Sequence, residues 1–213
     1  MKSTDNPASP YPSFDEVLDD IGDKAAEALL TAVARSKADL RTYRETHPGW
    51  VAEHSERGLA NWIHDRLWTH ITALTDQNPD VAIHEKGPLR ELVIGNKYRF
   101  RLKRHDESGH VASYHTDAFL DFVCQPAVQL PGMEETRLIA GYEWEKDLRD
   151  IGVAVISLRD GDDNVIWSEP LSPVDAGRDA GTVVTPEQPG PTTPIVEIPS
   201  GIGVEHQQQT EGT

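Results

Sequence analysis

The sequence predicts an α+β protein in which N-terminal amphipathic helices pack on an antiparallel sheet, with disordered acidic tails. Three observations carry this. Up to about residue 76 the apolar residues recur at spacings of three and four, the period of a helix with one buried face. Beyond it, short alternating runs dominate, broken by turn residues. The two ends hold most of the net charge of −16 and few large apolar side chains. Helices first and strands afterwards argue for helices gathered on one face of a sheet.

Ser13-Phe14-Asp15-Glu16 has the pattern of a capping box, so a helix is expected to start there. Val17, Leu18, Ile21, Ala25, Leu29 and Val33 form its apolar face, Gly22 is a candidate kink, and Pro48 ends it. Acidic residues crowd its start and basic residues its end, as the helix dipole favours. A second helix over roughly 51–76 aligns Leu59, Trp62, Ile63, Leu67, Trp68 and Ile71, and stops at Asn78-Pro79. Residues 81–84 and 89–94 read as strands, and a turn at Gly95-Asn96 leads into a third. A three-residue loop, Gly95 to Lys97, would put Leu92, Ile94, Tyr98 and Phe100 on one face and set Glu91 opposite Arg101. That register is preferred over a two-residue loop because it keeps the apolar side chains together. A short helix is expected near 116–124, and strands over 137–144, 151–158 and 164–167, the last two flanking the turn Arg159-Asp160-Gly161-Asp162-Asp163. Trp62, Leu67, Trp68, Phe100, Phe122 and Trp144 are assigned to one core.

The expected organisation is a disordered segment 1–12, a single α+β domain 13–168 and a disordered Pro/Gly/acidic tail 169–213. The tail has no aromatic residue and cannot bury enough apolar area to offset the entropy of ordering it. The lone Cys124 excludes an internal disulfide framework, and no run approaches the ~18 apolar residues of a membrane span. With no apolar leader after Met1, a cytoplasmic protein without membrane contact is expected.

The most concentrated chemical feature lies in Lys97 to His105, which hold five of the twenty Lys and Arg residues. Lys97, Arg99, Arg101 and Lys103 alternate with Tyr98, Phe100 and Leu102, the pattern of a half-buried strand with a cationic face, and Arg104 follows. Lys97, Arg99, Arg101, Lys103 and Arg104 are therefore the candidate binding residues for an anion. Glu91, Glu143 and Glu145 on neighbouring strands offer the competing role of neutralising them. Pro194-Ile195-Val196-Glu197-Ile198-Pro199 is an apolar island in the tail, and Ile195, Val196 and Ile198 are candidates for adding a strand to a sheet edge.

No catalytic, cofactor or metal assignment emerges. His64 and His70 are six apart on a helix, and His105, His110 and His115 match no metal signature. Asp160, Asp162 and Asn164 imitate the start of a calcium loop, but Val165 and Leu171 stand where glycine and glutamate belong. Glu143-Trp144-Glu145-Lys146 has the wrong spacing for a nuclease pair, and Cys124 has no neighbouring base in sequence.

Residues 58–168 resemble a family of uncharacterised bacterial and phage proteins. The resemblance rests on Leu59-Ala60-Asn61-Trp62-Ile63-His64-Asp65, Arg99-Phe100-Arg101-Leu102-Lys103-Arg104, Leu130-Pro131-Gly132 and Gly141-Tyr142. Such proteins are thought to be encoded near helix-turn-helix repressors and metallopeptidase-like regulators, which implies toxin–antitoxin or prophage regulation. Where members carry a Lys-Lys pair after the strand, this chain has Lys103-Arg104. The expected function is a non-catalytic, antitoxin-like interaction module of bacterial or prophage origin, with a protein partner of acidic surface. The alternative is a nucleic-acid-binding protein or RNA-cleaving toxin using the basic strand 97–104, with His105 or His115 as acid and base. Because the cationic side chains alternate away from the apolar face, reversing Arg99 and Arg101 to Glu is expected to leave the fold intact.

Overall fold

The computed structural model describes residues 9–87, 89–111, 113, 116–126 and 134–173. It opens with α1 (Phe14–Ile21), whose capping box is complete: the Ser13 hydroxyl accepts from the Glu16 amide, and the Glu16 carboxylate accepts from the Ser13 amide. Gly22, at φ 75°, breaks the helical path, so the first expected helix is two, α1 and α2 (Asp23–Thr46). His47-Pro48 separates off the short α3 (Pro48–Glu53), and Ser55 then caps α4 (Glu56–Thr75). The second expected helix is thus also divided, because Pro48 favours the first turn of a new helix.

Six strands follow: β1 (Val81–Lys86), β2 (Leu89–Ile94), β3 (Tyr98–His105), β4 (Thr136–Glu145), β5 (Asp150–Arg159) and β6 (Val165–Leu171). They form one sheet in chain order, with α5 (Asp117–Val123) between β3 and β4. The architecture is α+β, but the sheet is mixed rather than antiparallel. Tyr98 to His105 run parallel to Thr136 to Glu143, while every other neighbouring pair is antiparallel. A parallel pair needs a long crossover, and residues 106–135 with α5 supply it. The preferred hairpin register is present, with Leu92 opposite Phe100 and Ile94 opposite Tyr98. β3 is consequently an interior strand, flanked on both sides.

Alternation along the strands sends side chains to two faces. Leu92, Ile94, Tyr98, Phe100, Leu102, Leu138, Ala140, Leu158 and their neighbours join α1, α2 and α4 in the main core. Ile139 points the other way and packs with Val111, Phe119, Phe122 and Val123 beneath α5. The expected single core is corrected accordingly: Leu67, Trp68 and Phe100 lie in the main core, and Trp62 and Trp144 pack at its margin, but Phe122 belongs to the second cluster. Trp62 stacks on Tyr43 of α2, with ring centroids 4.8 Å apart.

Structure extends past the expected domain limits. β6 runs to Leu171, three residues beyond 168. Before α1, the Tyr11 hydroxyl donates to Asp160 (2.5 Å), and Trp167 Nε1 donates to the Pro12 carbonyl (2.9 Å). The remaining parts of the proposed tails, 1–8 and 174–213, lie outside the described residues, as does the peptide candidate Ile195, Val196 and Ile198. No helix among the described residues is long and apolar enough to cross a membrane.

At Gly141 the β3–β4 approach leaves no room for a side chain: a Cβ there would lie 1.9 Å from the Lys103 carbonyl oxygen. Trp68, 5 % exposed, ties α4 to the main core. Trp68→Ala is expected to cost about 3–5 kcal/mol in a urea titration, the range for removing a buried tryptophan. A loss below about 1 kcal/mol would mean α4 is docked otherwise.

Candidate functional site: a cationic cleft beside the third strand

The five basic candidates of β3 and its approach divide into two groups. Lys97 donates to Asp20 of α1, and the Tyr98 hydroxyl donates to the same carboxylate oxygen at 2.6 Å. These bonds hold Asp20 below the usual carboxylate range and raise the Lys97 ammonium above its usual value; burial, then the bond to Asp20, pushes Tyr98 up to about 12. Arg99 and Arg101 meet at Glu91 of β2. Arg99 Nη1 lies 2.8 Å from Glu91 Oε2, and Arg101 Nε and Nη2 lie 2.8 and 2.7 Å from Oε1. Arg99 also reaches Glu135 (3.0 Å), which receives Arg137 Nε at 2.8 Å.

This ion-pair network holds α5. Arg101 donates to the Ala118 carbonyl and stacks its guanidinium over Phe122 at 4.0 Å. Arg137 donates to the Asp121 and Cys124 carbonyls at the end of the same helix, where the backbone lacks partners of its own. The charged face of β3 is therefore covered, and Glu91 is only 4 % exposed.

Lys103 and Arg104 are differently placed. Lys103 Nζ donates to Ser113 Oγ (3.3 Å) and lies 5.7 Å from the Phe119 ring centroid; Arg104 lies over Trp144. Among the described residues neither has a carboxylate partner. Burial, and then the charge of Arg101, lower the Lys103 pKa. Both residues line a cavity of about 680 Å3. It opens where β2 parts from β3, the paired register stopping at Leu92 and Phe100. From α4 come Arg57, Asn61 and His64, spaced four and three apart on one side of the helix, and from β2 comes Arg90. Leu67, Leu89, Leu102 and Phe119 give the cleft an apolar wall. No acidic side chain of the described residues lines it.

Cations accumulate here. Arg90 Nη1 lies 3.4 Å from His64 Nδ1, and it also pairs with Asp65 and Glu85. Burial, followed by the charges of Arg90 and Lys103, lowers the His64 pKa. Desolvated positive charges without a matching anion are unfavourable, and an incoming anion relieves that cost. Arg57, Asn61 and Arg90 were not among the sequence candidates. The signal for the first two was a polar stripe beside the apolar stripe of α4, which by itself reads as a wetted helix face.

His105 does not join the cleft. It is 1 % exposed, and its Nε2 lies 2.9 Å from Ser157 Oγ on β5. Nearby Arg159 is also buried and donates to the carbonyls of Gly109 and Asp162. Burial and then the Arg159 charge lower the His105 pKa to about 4, so it is a neutral core residue with no access to a substrate proton. His115 lies outside the described residues, and no cluster of three metal-ligating side chains occurs among the described residues.

Three outcomes follow from this geometry. Arg99→Glu with Arg101→Glu places three carboxylates together at Glu91, so the earlier expectation of an intact fold is replaced by one of unfolding. Glu91→Gln alone should cost about 1–3 kcal/mol in denaturant, since it leaves the half-buried Arg101 guanidinium without its carboxylate while Arg99 keeps Glu135. A folded double variant with near wild-type stability would show that α5 does not depend on the network. For His105, the folded pKa of about 4 lies below the unfolded value of about 6.5, so the unfolded chain binds the proton first and stability falls as pH drops between them. The wild type should lose about 2 kcal/mol more than His105→Gln between pH 7 and pH 5 in urea titrations. Equal losses would assign the acid sensitivity elsewhere.

Comparison with protein-family models, with curated proteins and with solved structures gave no match.

Proposed function

We propose that this protein is a non-catalytic regulatory module of the cytoplasm, antitoxin-like, which recognises an acidic group of a protein partner in the cleft between β2, β3 and α4. The observation that carries the reading is the pair Lys103 and Arg104. Each lines the cleft, and neither is neutralised by a carboxylate of the described residues. The resemblance of residues 58–168 to bacterial and phage proteins points to the same regulatory setting, with Lys103-Arg104 in the place of the Lys-Lys pair.

A protein partner is favoured over nucleic acid by how the charge is distributed. Tracking a phosphate backbone needs several free cations in a row. In β3 and its approach, Lys97, Arg99 and Arg101 are already paired with Asp20, Glu91 and Glu135. What remains is a cleft of about 680 Å3 rather than a continuous basic track, on a chain of net charge −16 that repels extended polyanions. The RNA-cleaving alternative loses His105, which is 1 % exposed and bonded to Ser157 within the sheet.

The test uses the full chain, a fluorescent Glu-rich decapeptide and an RNA decamer, each titrated at about 50 and 200 mM salt, where counterion release is readily seen. The peptide should bind at both salts, and Lys103→Gln with Arg104→Gln should weaken it at least tenfold while circular dichroism stays unchanged. RNA binding tighter than the peptide, with a steep salt slope abolished in the double variant, would establish the alternative. Peptide binding untouched by the double variant would remove the cleft from the function.

A further inference from the structure

We propose that the cleft receives a single carboxylate on the side formed by α4, held between the Arg104 guanidinium and the Tyr142 hydroxyl. The inference deepens the preceding reading and rests on it. Neighbouring residues of a strand point to opposite faces. Lys103 lies beside Ser113 and Phe119, whereas Arg104 lies over Trp144. The cleft therefore has two sides, each with its own charge. Arg104 stands directly beside Tyr142 in the parallel register of β3 and β4, so their side chains share a face. It is the face of the main core, where Tyr142 and Leu102 pack with Leu67 of α4. Asn61 and His64 line the cleft from the same helix.

Tyr142 supplies the observation that points to a ligand. It is 2 % exposed and lines the cleft, yet its hydroxyl has no hydrogen-bond partner among the described residues. Burial raises its pKa against the opposing charge of Arg104, so at neutral pH the group is a phenol with a proton to donate. A buried donor left unpaired is unfavourable, and an acceptor placed in the cleft removes that cost. The cations of this side set the ligand's charge. Arg90 is shared by Asp65 and Glu85, and Arg57 is engaged as well, so Arg104 is the guanidinium here without an acidic partner among the described residues. One negative charge balances it. A carboxylate brings that charge on two coplanar oxygens, which suit the arginine fork and keep lone pairs for the Tyr142 hydroxyl. His64 adds a donor. Its Nδ1 lies 3.4 Å from the Arg90 guanidinium, which can only donate, so the ring, kept neutral by burial, carries its proton on Nε2. Leu67 and Leu102 border the same side, and the methylenes of a glutamate side chain or of a short free acid would bury apolar area against them.

The experiment is an NMR titration of the full chain with butyrate, butyramide and the Glu-rich decapeptide. Butyrate reproduces the end of a glutamate side chain, and butyramide has the same shape without the charge. Butyrate is expected to bind at least tenfold tighter than butyramide. Tyr142→Phe removes one oxygen and keeps the ring in the core, and it should weaken butyrate and the peptide at least fivefold. Arg104→Gln should weaken butyrate at least tenfold, more than Lys103→Gln does, and it serves as the second variant if Tyr142→Phe loses its native circular dichroism. Peptide binding tighter than butyrate supports a carboxylate borne by a partner, whereas butyrate tighter than the peptide would keep the site and overturn the protein-partner reading. Butyramide binding as tightly as butyrate would overturn the carboxylate. Butyrate binding that neither Tyr142→Phe nor Arg104→Gln weakens, or that Lys103→Gln weakens most, would overturn this placement; the protein-partner reading then stands if the peptide still depends on Lys103 and Arg104 together. Failure of butyrate and the peptide alike would overturn both.

Discussion

The carboxylate of Glu91 is the constraint on which the rest of this arrangement turns. It sits almost wholly out of water, and two guanidinium groups from alternate positions of β3 close on its two oxygens. A buried carboxylate without such partners costs several kcal/mol, so β2 and β3 are bound to the register that brings Glu91 to Arg99 and Arg101. Slipping β2 by one residue would turn Glu91 into the main core and Leu92 toward the arginines. The network therefore adds specificity to a register that the apolar pairs Leu92–Phe100 and Ile94–Tyr98 already prefer. It also reaches α5, because the Arg101 and Arg137 guanidinium groups satisfy carbonyls along and beyond that short helix. A seven-residue helix has little stability of its own, so its position is fixed by these charges and by Phe119 and Phe122 beneath it.

The cleft is a consequence of where that network ends. Glu91 saturates the first two arginines of β3, and beyond it β2 leaves β3 to continue its pairing with β1. The gap is flanked by α4 and by the turn into α5, and the strand segment at its base still carries Lys103 and Arg104. Charges that look equivalent in a linear stripe thus divide into structural and available ones according to the acidic residues that neighbouring elements bring to them, Asp20, Glu91 and Glu135. Lys103 is then held among other cations under partial burial, a condition that favours an anion at this place over any point on the open surface.

Much of the fold was legible in the residues. Ser13 and Glu16 announced α1, Gly22 stood out as a kink where the helix in fact breaks, and the apolar alternation of Leu92, Ile94, Tyr98 and Phe100 selected the hairpin loop correctly. The parallel pairing of β3 with β4 was not legible, since a short helix between strands gives no local sign of being a crossover. With the crossover missed, the covered side of the sheet was mistaken for a wetted one. Phe122 was consequently merged into the main core, and Arg99 and Arg101 were placed on an open face. The site was legible only in part for the same reason. The cationic residues of β3 stand out in sequence, but Arg57, Asn61 and Arg90 reach the cleft through tertiary packing alone.

Sequestering most of the positive charge also bears on selectivity. In physiological salt an exposed charge is screened over roughly 8 Å, so the pull of Lys103 and Arg104 is local, whereas a long polyanion samples many acidic surface positions of a chain with net charge −16. A polyanion gains little from one cleft and meets repulsion along the rest of its length. A compact anion entering the cleft meets the unmatched cations and few of the distant acids. The half-buried ion pairs that occupy Arg99 and Arg101 therefore do more than hold α5. By shortening the available basic segment to the residues that line the cleft, they favour, on the proposed reading, a compact anion over an extended polyanion.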